Sequence, residues 1–196
     1  MVELFIASVN TLMYGRFMKD RLSKEDWLYH GLEALSAEGV NGLKAEVLAK
    51  SLKVSRGSFY WHFKNIGSFN EEVLNLWETL ATRQIMEEID GSTAKPDRLF
   101  ALMKKAFKSD SNLENSIRDW GARDPKVARK VSSVDEIRVG FIRKLLLQEG
   151  IPLAEAQPRA SFLYWAYLGQ KLAVNSEAVS NEQLNEIFKI LTTFDG

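Results

Sequence analysis

The chain has 196 residues, 45% of them hydrophobic, with 26 basic and 26 acidic side chains and no cysteine. That length and apolar content suit one large core or two small ones. The lack of cysteine excludes a disulfide framework, a thiolate metal site and a thiol nucleophile, and is compatible with a reducing cytoplasm, where the protein is expected. Zero net charge excludes a surface that is basic all over, so a polyanion would have to meet a local patch.

Residues 1–18 are apolar, but they lack the basic leader and small-residue cleavage site of a secretory signal. Asn10, Tyr14 and Gly15 interrupt a stretch too short to span a bilayer, so no membrane partner is expected. Lys19-Asp20-Arg21 follows as a short arm. Residues 1–20 are therefore read as an N-terminal extension or arm: either translation starts at Met18, or the preceding residues form an extra helix on the body. Ser23-Lys24-Glu25-Asp26 then has the form of a capping box and opens a helix to about Glu38. Leu28, Leu32 and Leu35 supply its apolar stripe, and Gly39 is placed to end it in the left-handed conformation.

Residues 43–64, LKAEVLAKSLKVSRGSFYWHFK, hold two short helices and a tight turn, the pattern of a DNA-binding helix-turn-helix. Leu48, Ala49 and Leu52 form one apolar face, and the small Ala49 lets a second helix cross closely. Val54 enters the turn as a core plug. The Ser55 hydroxyl is placed to cap the next helix by accepting from the Gly57 or Ser58 N–H. In that second helix Phe59 and Phe63, four apart, share a buried face, and they alternate with Arg56, Ser58, Tyr60, Trp61 and His62. Gly57 costs roughly 1 kcal/mol of helix propensity, a cost that makes sense where the backbone approaches another surface. Arg56 can donate bidentately to guanine, Ser58 can reach a base edge or a phosphate, and Tyr60, His62 and Lys64 are spaced for phosphates. Between Asn41 and Ile66, Lys44, Lys50, Lys53, Arg56 and Lys64 oppose only Glu46, the local positive patch that phosphate neutralisation requires.

The run Leu48-Ala49, Leu52 and Val54 through Asn65 resembles the N-terminal DNA-binding domain of TetR-family transcriptional regulators. The resemblance extends back to Gly39 and forward into the helix that begins near Ser68. It implies an all-α homodimer that binds a palindromic operator in double-stranded DNA and is released by a small molecule held in the C-terminal domain. It also places Ser58, Tyr60, Trp61 and His62 at DNA-contacting positions of the recognition helix, and Lys64 at a phosphate contact at its end. Three residues depart from the pattern. Lys44 stands where a capping, phosphate-contacting Thr is frequent; it keeps a cation in reach of phosphate but loses the cap. Lys53 replaces the usual turn Gly, which calls for a non-glycine residue at positive φ or a different turn. Ile66-Gly67-Ser68 replaces a charged helix start and removes one phosphate contact.

From Ser68 to about Asp90 a longer helix carries Phe69, Val73, Leu76, Trp77 and Leu80 on one face, a natural lever between sites. Residues 91–96 break the composition, with Pro96 suited to the first turn of the next helix. Further helices carry Leu99 to Phe107, Leu113 to Trp120, Val127 to Leu146 (opened by Asp124-Pro125), Leu153 to about Val174, and a last one capped by Asn181. Leu153 to Val174 is apolar nearly all round and must be covered on more than one side; the last two helices are expected to form a dimerisation face. Ile117 to Trp120, Asp124-Pro125, Val134-Asp135, Arg138 and Arg159-Ala160 also resemble the C-terminal domains of a subset of TetR-like regulators.

Trp77, Met103, Phe107, Trp120, Phe141 and Tyr164 are candidates for a pocket that holds an apolar or aromatic effector, with core filling as the alternative for each. Arg118 and Arg138 could anchor an anion, but Asp119 and Asp135 offer salt-bridge partners on the same helices. With only two histidines, no Gly-rich phosphate loop and no His/carboxylate metal spacing, neither catalytic residues, a metal nor a cofactor is expected. The chain is thus read as an all-α protein with an arm at 1–20, a three-helix DNA-binding domain at 21–67 and a helical effector-binding and dimerisation domain at 68–196. Its expected function is a sequence-specific transcriptional regulator, a repressor released by an effector. The alternatives are a helix-turn-helix fold that binds protein partners, or a helical enzyme.

Overall fold

In a computed structural model, which describes residues 22–91, 98–109, 112–173 and 179–193, all regular structure is helical. The arm at 1–20 and the break at 92–96 lie outside the described residues. Helix α1 (Lys24–Glu38) starts in the expected capping box: the Asp26 N–H donates to Ser23 Oγ at 3.2 Å, and the Ser23 N–H to Asp26 Oδ2 at 2.7 Å. Gly39 ends it at φ 65° and ψ −160°, outside the left-handed helical well, because the chain continues into a 3₁₀ turn (Gly39–Leu43). Helices α2 (Ala45–Ser51), α3 (Arg56–His62) and α4 (Ile66–Glu78) follow. Helix α4 begins two residues before the expected Ser68. Asn65 is the cap, with the Ser68 N–H donating to its Oδ1 at 2.9 Å and its own N–H returning to Ser68 Oγ at 3.3 Å.

A π-helical segment, Thr79–Arg83, joins α4 to α5 (Gln84–Gly91). A π turn holds extra residue length, so it shifts the phase of the side chains that follow. Burial follows that shift, with Phe69, Val73 and Trp77 buried before it, Leu80 and Thr82 within it and Ile89 after it. Beyond come α6 (Arg98–Phe107), α7 (Asn112–Gly121), α8 (Pro125–Gln148), α9 (Leu153–Leu172) and α10 (Asn181–Thr192). Asp124 caps α8 by accepting the Lys126 N–H at 2.8 Å. Helix α10 is capped by Ser180 rather than Asn181: Ser180 and Gln183 exchange both capping-box bonds, and Asn181 Oδ1 instead accepts from Lys108 at 2.6 Å.

The chain forms two compact units. The first comprises the described residues of 1–81 and 110–131, with Trp27, Leu32, Leu35, Leu48, Phe59, Phe63, Phe69 and Ile117 in its core. Helix α7 packs on α1. Residues 68–196, expected to form one domain, are therefore divided, since α7 and the start of α8 bury their apolar faces with the helix-turn-helix unit. Arg118 pairs with buried Glu114 at 2.8 Å, and Asp119 with Arg123 at 2.5 Å, so Arg118 and Asp119 do not pair as expected; residues four apart are neighbours on a helix and adjacent ones are not. The second unit comprises the described residues of 82–109 and 132–196, built around Leu99, Met103, Leu145, Leu146, Ala160 and Leu184.

Candidate nucleic-acid interface

Helix α2 carries Leu48 and Ala49 inward and stops because Lys53 turns the chain back. Lys53 has φ 56°, with its N–H bonded to the Lys50 carbonyl at 3.1 Å and the Val54 N–H to the Ala49 carbonyl at 3.0 Å. This bond pair is a Schellman end with a lysine in the left-handed position that glycine usually fills. It delivers Ser55 in extended conformation to the N-cap position of α3. The Ser55 side chain makes no capping bond; the Ser58 N–H bonds the Ser55 carbonyl at 3.0 Å instead. Lys44, at the start of α2, likewise makes no side-chain cap.

The faces of α3 follow the four-residue rule. Phe59 and Phe63 are buried and pack with Phe69, their ring centroids 4.9–5.2 Å apart, while Trp27 meets Phe59 edge-on at 5.4 Å. This aromatic wedge holds the helix from behind. Outward stand Ser55, Arg56, Gly57, Tyr60 (49% exposed), Trp61 (75% exposed) and Lys64, with Ser58 half-buried between them. The Arg56 guanidinium lies 6.0 Å from the Tyr60 ring centroid, a contact that limits its rotamers. A Cβ on Gly57 would meet only Ser55 Oγ, at 3.6 Å, so packing within the chain does not demand a glycine there. Lys44, Lys50 and Lys53 are exposed as well, and the unit presents cations, hydroxyls and aromatic rings together.

His62 differs from its neighbours. It is half-buried, and its Nε2–H donates to the Leu22 carbonyl at 2.9 Å, so one ring nitrogen is occupied within the chain.

Of the six pocket candidates, Met103, Phe107, Phe141 and Tyr164 share one buried cluster in the second unit, whereas Trp77 and Trp120 are buried in the first. Beside Tyr164 lies a polar chain with no counterpart in the sequence reading. The Arg138 Nε–H donates to Thr82 Oγ1 at 3.0 Å, an Arg138 Nη1–H lies 3.4 Å from the Tyr164 hydroxyl, and that hydroxyl donates to Asp135 Oδ1 at 2.6 Å. Asp135 and Arg138, three apart on one helix, were the available signal; Thr82 carried none. No group of metal-ligating side chains occurs among the described residues, and no described helix is long and apolar enough to cross a membrane.

Among the described residues this is an all-helical fold with the polar face of α3 turned outward, and solved structures share the fold. A transcriptional regulator of Rhodococcus sp. Rha1 superposes with a TM-score of 0.69 over 87% of this chain and 94% of its own, at 21% identity. The ketosteroid transcriptional regulator KstR2 of Mycobacterium tuberculosis gives 0.59 over 89% and 95%, at 13% identity, and reduced NemR of Escherichia coli 0.62 over 86% and 94%, at 18%. At such identities the likeness is one of fold. Residues 30–73 match the family of bacterial regulatory proteins described as tetR, and 45 residues are 42% identical to the class E tetracycline repressor protein of Escherichia coli. The chain spans about a fifth of that repressor, 21% of its length. The helix-turn-helix unit therefore belongs to the TetR family.

Proposed function

We propose that the chain is a sequence-specific DNA-binding transcriptional regulator that works as a homodimer on a palindromic operator, as a repressor released by a small apolar or aromatic molecule. The observation that carries this reading is the outward face of α3, where Arg56, Tyr60, Trp61 and Lys64 are exposed over a rigid aromatic wedge. Lys44, Ser55 and Ser58 complete the proposed contact set. Arg56 and Ser58 read base edges, and the lysines and Tyr60 hold phosphates.

Two further features support the dimer and its release. On α9, Phe162, Trp165 and Leu172 are 62%, 67% and 64% exposed and follow a three-and-seven spacing that keeps them on one face, with exposed Gly169 between them. An apolar stripe of this kind is covered by a second copy of the same helix in an isologous pair. The dimer sets two recognition helices about one DNA turn apart, ~34 Å. The continuous helical stretch from Ile66 to Gly91 runs from the helix-turn-helix unit into the chain of the second unit and serves as the lever. An effector that prefers another spacing shifts the population away from the operator-competent state.

Binding of the purified chain to its own upstream intergenic DNA, against a scrambled duplex across a salt series, tests the reading. Preferential binding with a steep salt slope is expected. Equal, weak binding to both duplexes overturns operator recognition at that site.

A further inference from the structure

The aromatic wedge behind α3 is built from Trp27, Phe59, Phe63 and Phe69, and Tyr60 meets Phe59 edge-on with ring centroids 5.3 Å apart. Trp61, the next residue, stands 75% exposed. A lone exposed apolar side chain is ordinary on a protein surface, but this indole is set apart by what flanks it. Gly57 lies four residues earlier, on the same face of the helix. Helical side chains lean toward the N-terminus, over the turn before their own Cα, and for Trp61 that turn begins at a residue with no side chain. A Cβ at Gly57 would meet only Ser55 Oγ, at 3.6 Å, so the surface in front of the glycine is open. The bare backbone is the floor of a notch and the indole its wall. Arg56 stands directly before the notch and Lys64 three residues beyond the indole, both exposed. An apolar notch between two cations suits a polyanion that carries an apolar group within it. In the DNA major groove the base edges present hydrogen-bonding atoms and one apolar group, the C5 methyl of thymine.

We infer that Trp61 and Gly57 together read thymine: the indole covers the C5 methyl, and the missing side chain lets the base edge approach the helix backbone. This inference rests on the DNA-binding reading and deepens it by giving each operator half-site one T·A pair read through apolar contact. Cytosine at that position leaves the indole face wet, because it has no methyl and turns its N4 amine toward the groove. Arg56 and Ser58 discriminate by hydrogen bonds, so Trp61 adds a second kind of selectivity to the same helix.

The test uses the full chain and a duplex that it enriches from a random-sequence pool, made once with thymine and once with deoxyuridine, which lacks only the methyl. The enriched sequences are expected to share a T·A pair at one fixed position in each half-site. The unaltered chain binds the thymine duplex more tightly, by about fourfold for each methyl covered and about 15-fold for a dimer on two half-sites. In W61A that preference falls by the same factor, and the slope of log K against log salt is unchanged because no phosphate contact is lost. G57A, whose added methyl fills the notch, loses the preference too while gaining helix propensity, so the outcome does not hang on whether W61A folds. A thymine preference that survives in folded W61A or in G57A, or that is absent from the unaltered chain, overturns the inference while leaving sequence-specific binding in place. A loss in W61A that falls equally on both duplexes with a smaller salt slope overturns it as well, since Trp61 would then serve the backbone. Failure of the unaltered chain to enrich any sequence overturns the operator reading, and the inference with it.

Discussion

Arg56 and Lys64 stand at opposite ends of one short helix, and their head groups set what each can do. A planar guanidinium at the helix N-terminus can bond two acceptors of guanine, whereas an ammonium just past the C-terminus is a point charge suited to phosphate. Arg56→Ala is expected to cost about 1–3 kcal/mol on the preferred sequence and to relax discrimination at one base pair. Lys64→Ala should weaken all sequences alike and reduce the salt slope by about 1. Competition binding against single-base variants of the duplex separates the two, and equal, sequence-blind losses would remove Arg56 from base reading. At this scale the sequence was legible wherever a rule is local. The four-residue spacing sorted Phe59 and Phe63 inward from Tyr60 and Trp61 outward, and the misfit of Lys53 in its turn reappears as its positive φ. It was not legible where a partner lies far away in the chain: only the fold brings the Leu22 carbonyl to the His62 ring.

Among the elements, helix contact depends on single atoms. A Cβ added to Gly31 of α1 would lie 2.6 Å from Phe69 Cζ and 2.9 Å from Val73 Cγ2 of α4, whereas one added to Gly140 of α8 meets nothing within 4 Å. Gly31→Ala is therefore expected to destabilise the fold by about 1–3 kcal/mol through overpacking. Gly140→Ala should stabilise it by roughly 0.5–1 kcal/mol through helix propensity. Urea unfolding of the two variants decides the matter; a Gly31→Ala protein as stable as the parent would mean that the Phe69 ring moves aside at little cost. Helix existence could be read from apolar periodicity, and the ends were harder because several residues compete for one cap. Ser180 and Asn181 are both good N-caps, and the choice falls to Ser180 because Gln183, three residues on, returns the second bond. The π segment has no composition of its own, and its visible trace is the change of buried face from Trp77 and Leu80 to Thr82 and Ile89.

For the whole molecule, order in the chain and order in space part company at α7. Its Leu113, Ile117 and Trp120 have an ordinary amphipathic spacing that says a face is buried but not against what, and the fold spends that face on α1. The polar chain from Thr82 through Arg138 and Tyr164 to Asp135 was hidden for the same reason, because its members come from separate helices. The exposed stripe of α9 carries the prediction that belongs to this scale. Replacing Trp165 with Glu places a carboxylate in the centre of the proposed two-fold contact and should shift the protein from dimer to monomer in sedimentation velocity, with loss of tight operator binding, since each monomer then meets only one half-site. A Trp165→Glu protein that stays dimeric would move the association face elsewhere.

The five tryptophans also fall into distinct optical environments. Trp27, Trp77 and Trp120 are buried, while Trp61 projects from the recognition helix and Trp165 from the α9 stripe. A collisional quencher such as iodide reaches the last two indoles and not the first three. In Trp165→Phe protein, DNA protects the remaining quenchable emission through Trp61; in Trp61→Phe protein, self-association protects it through Trp165. The native chain thus carries separate fluorescent reporters for its two proposed contacts, and its buried indoles record unfolding independently of both.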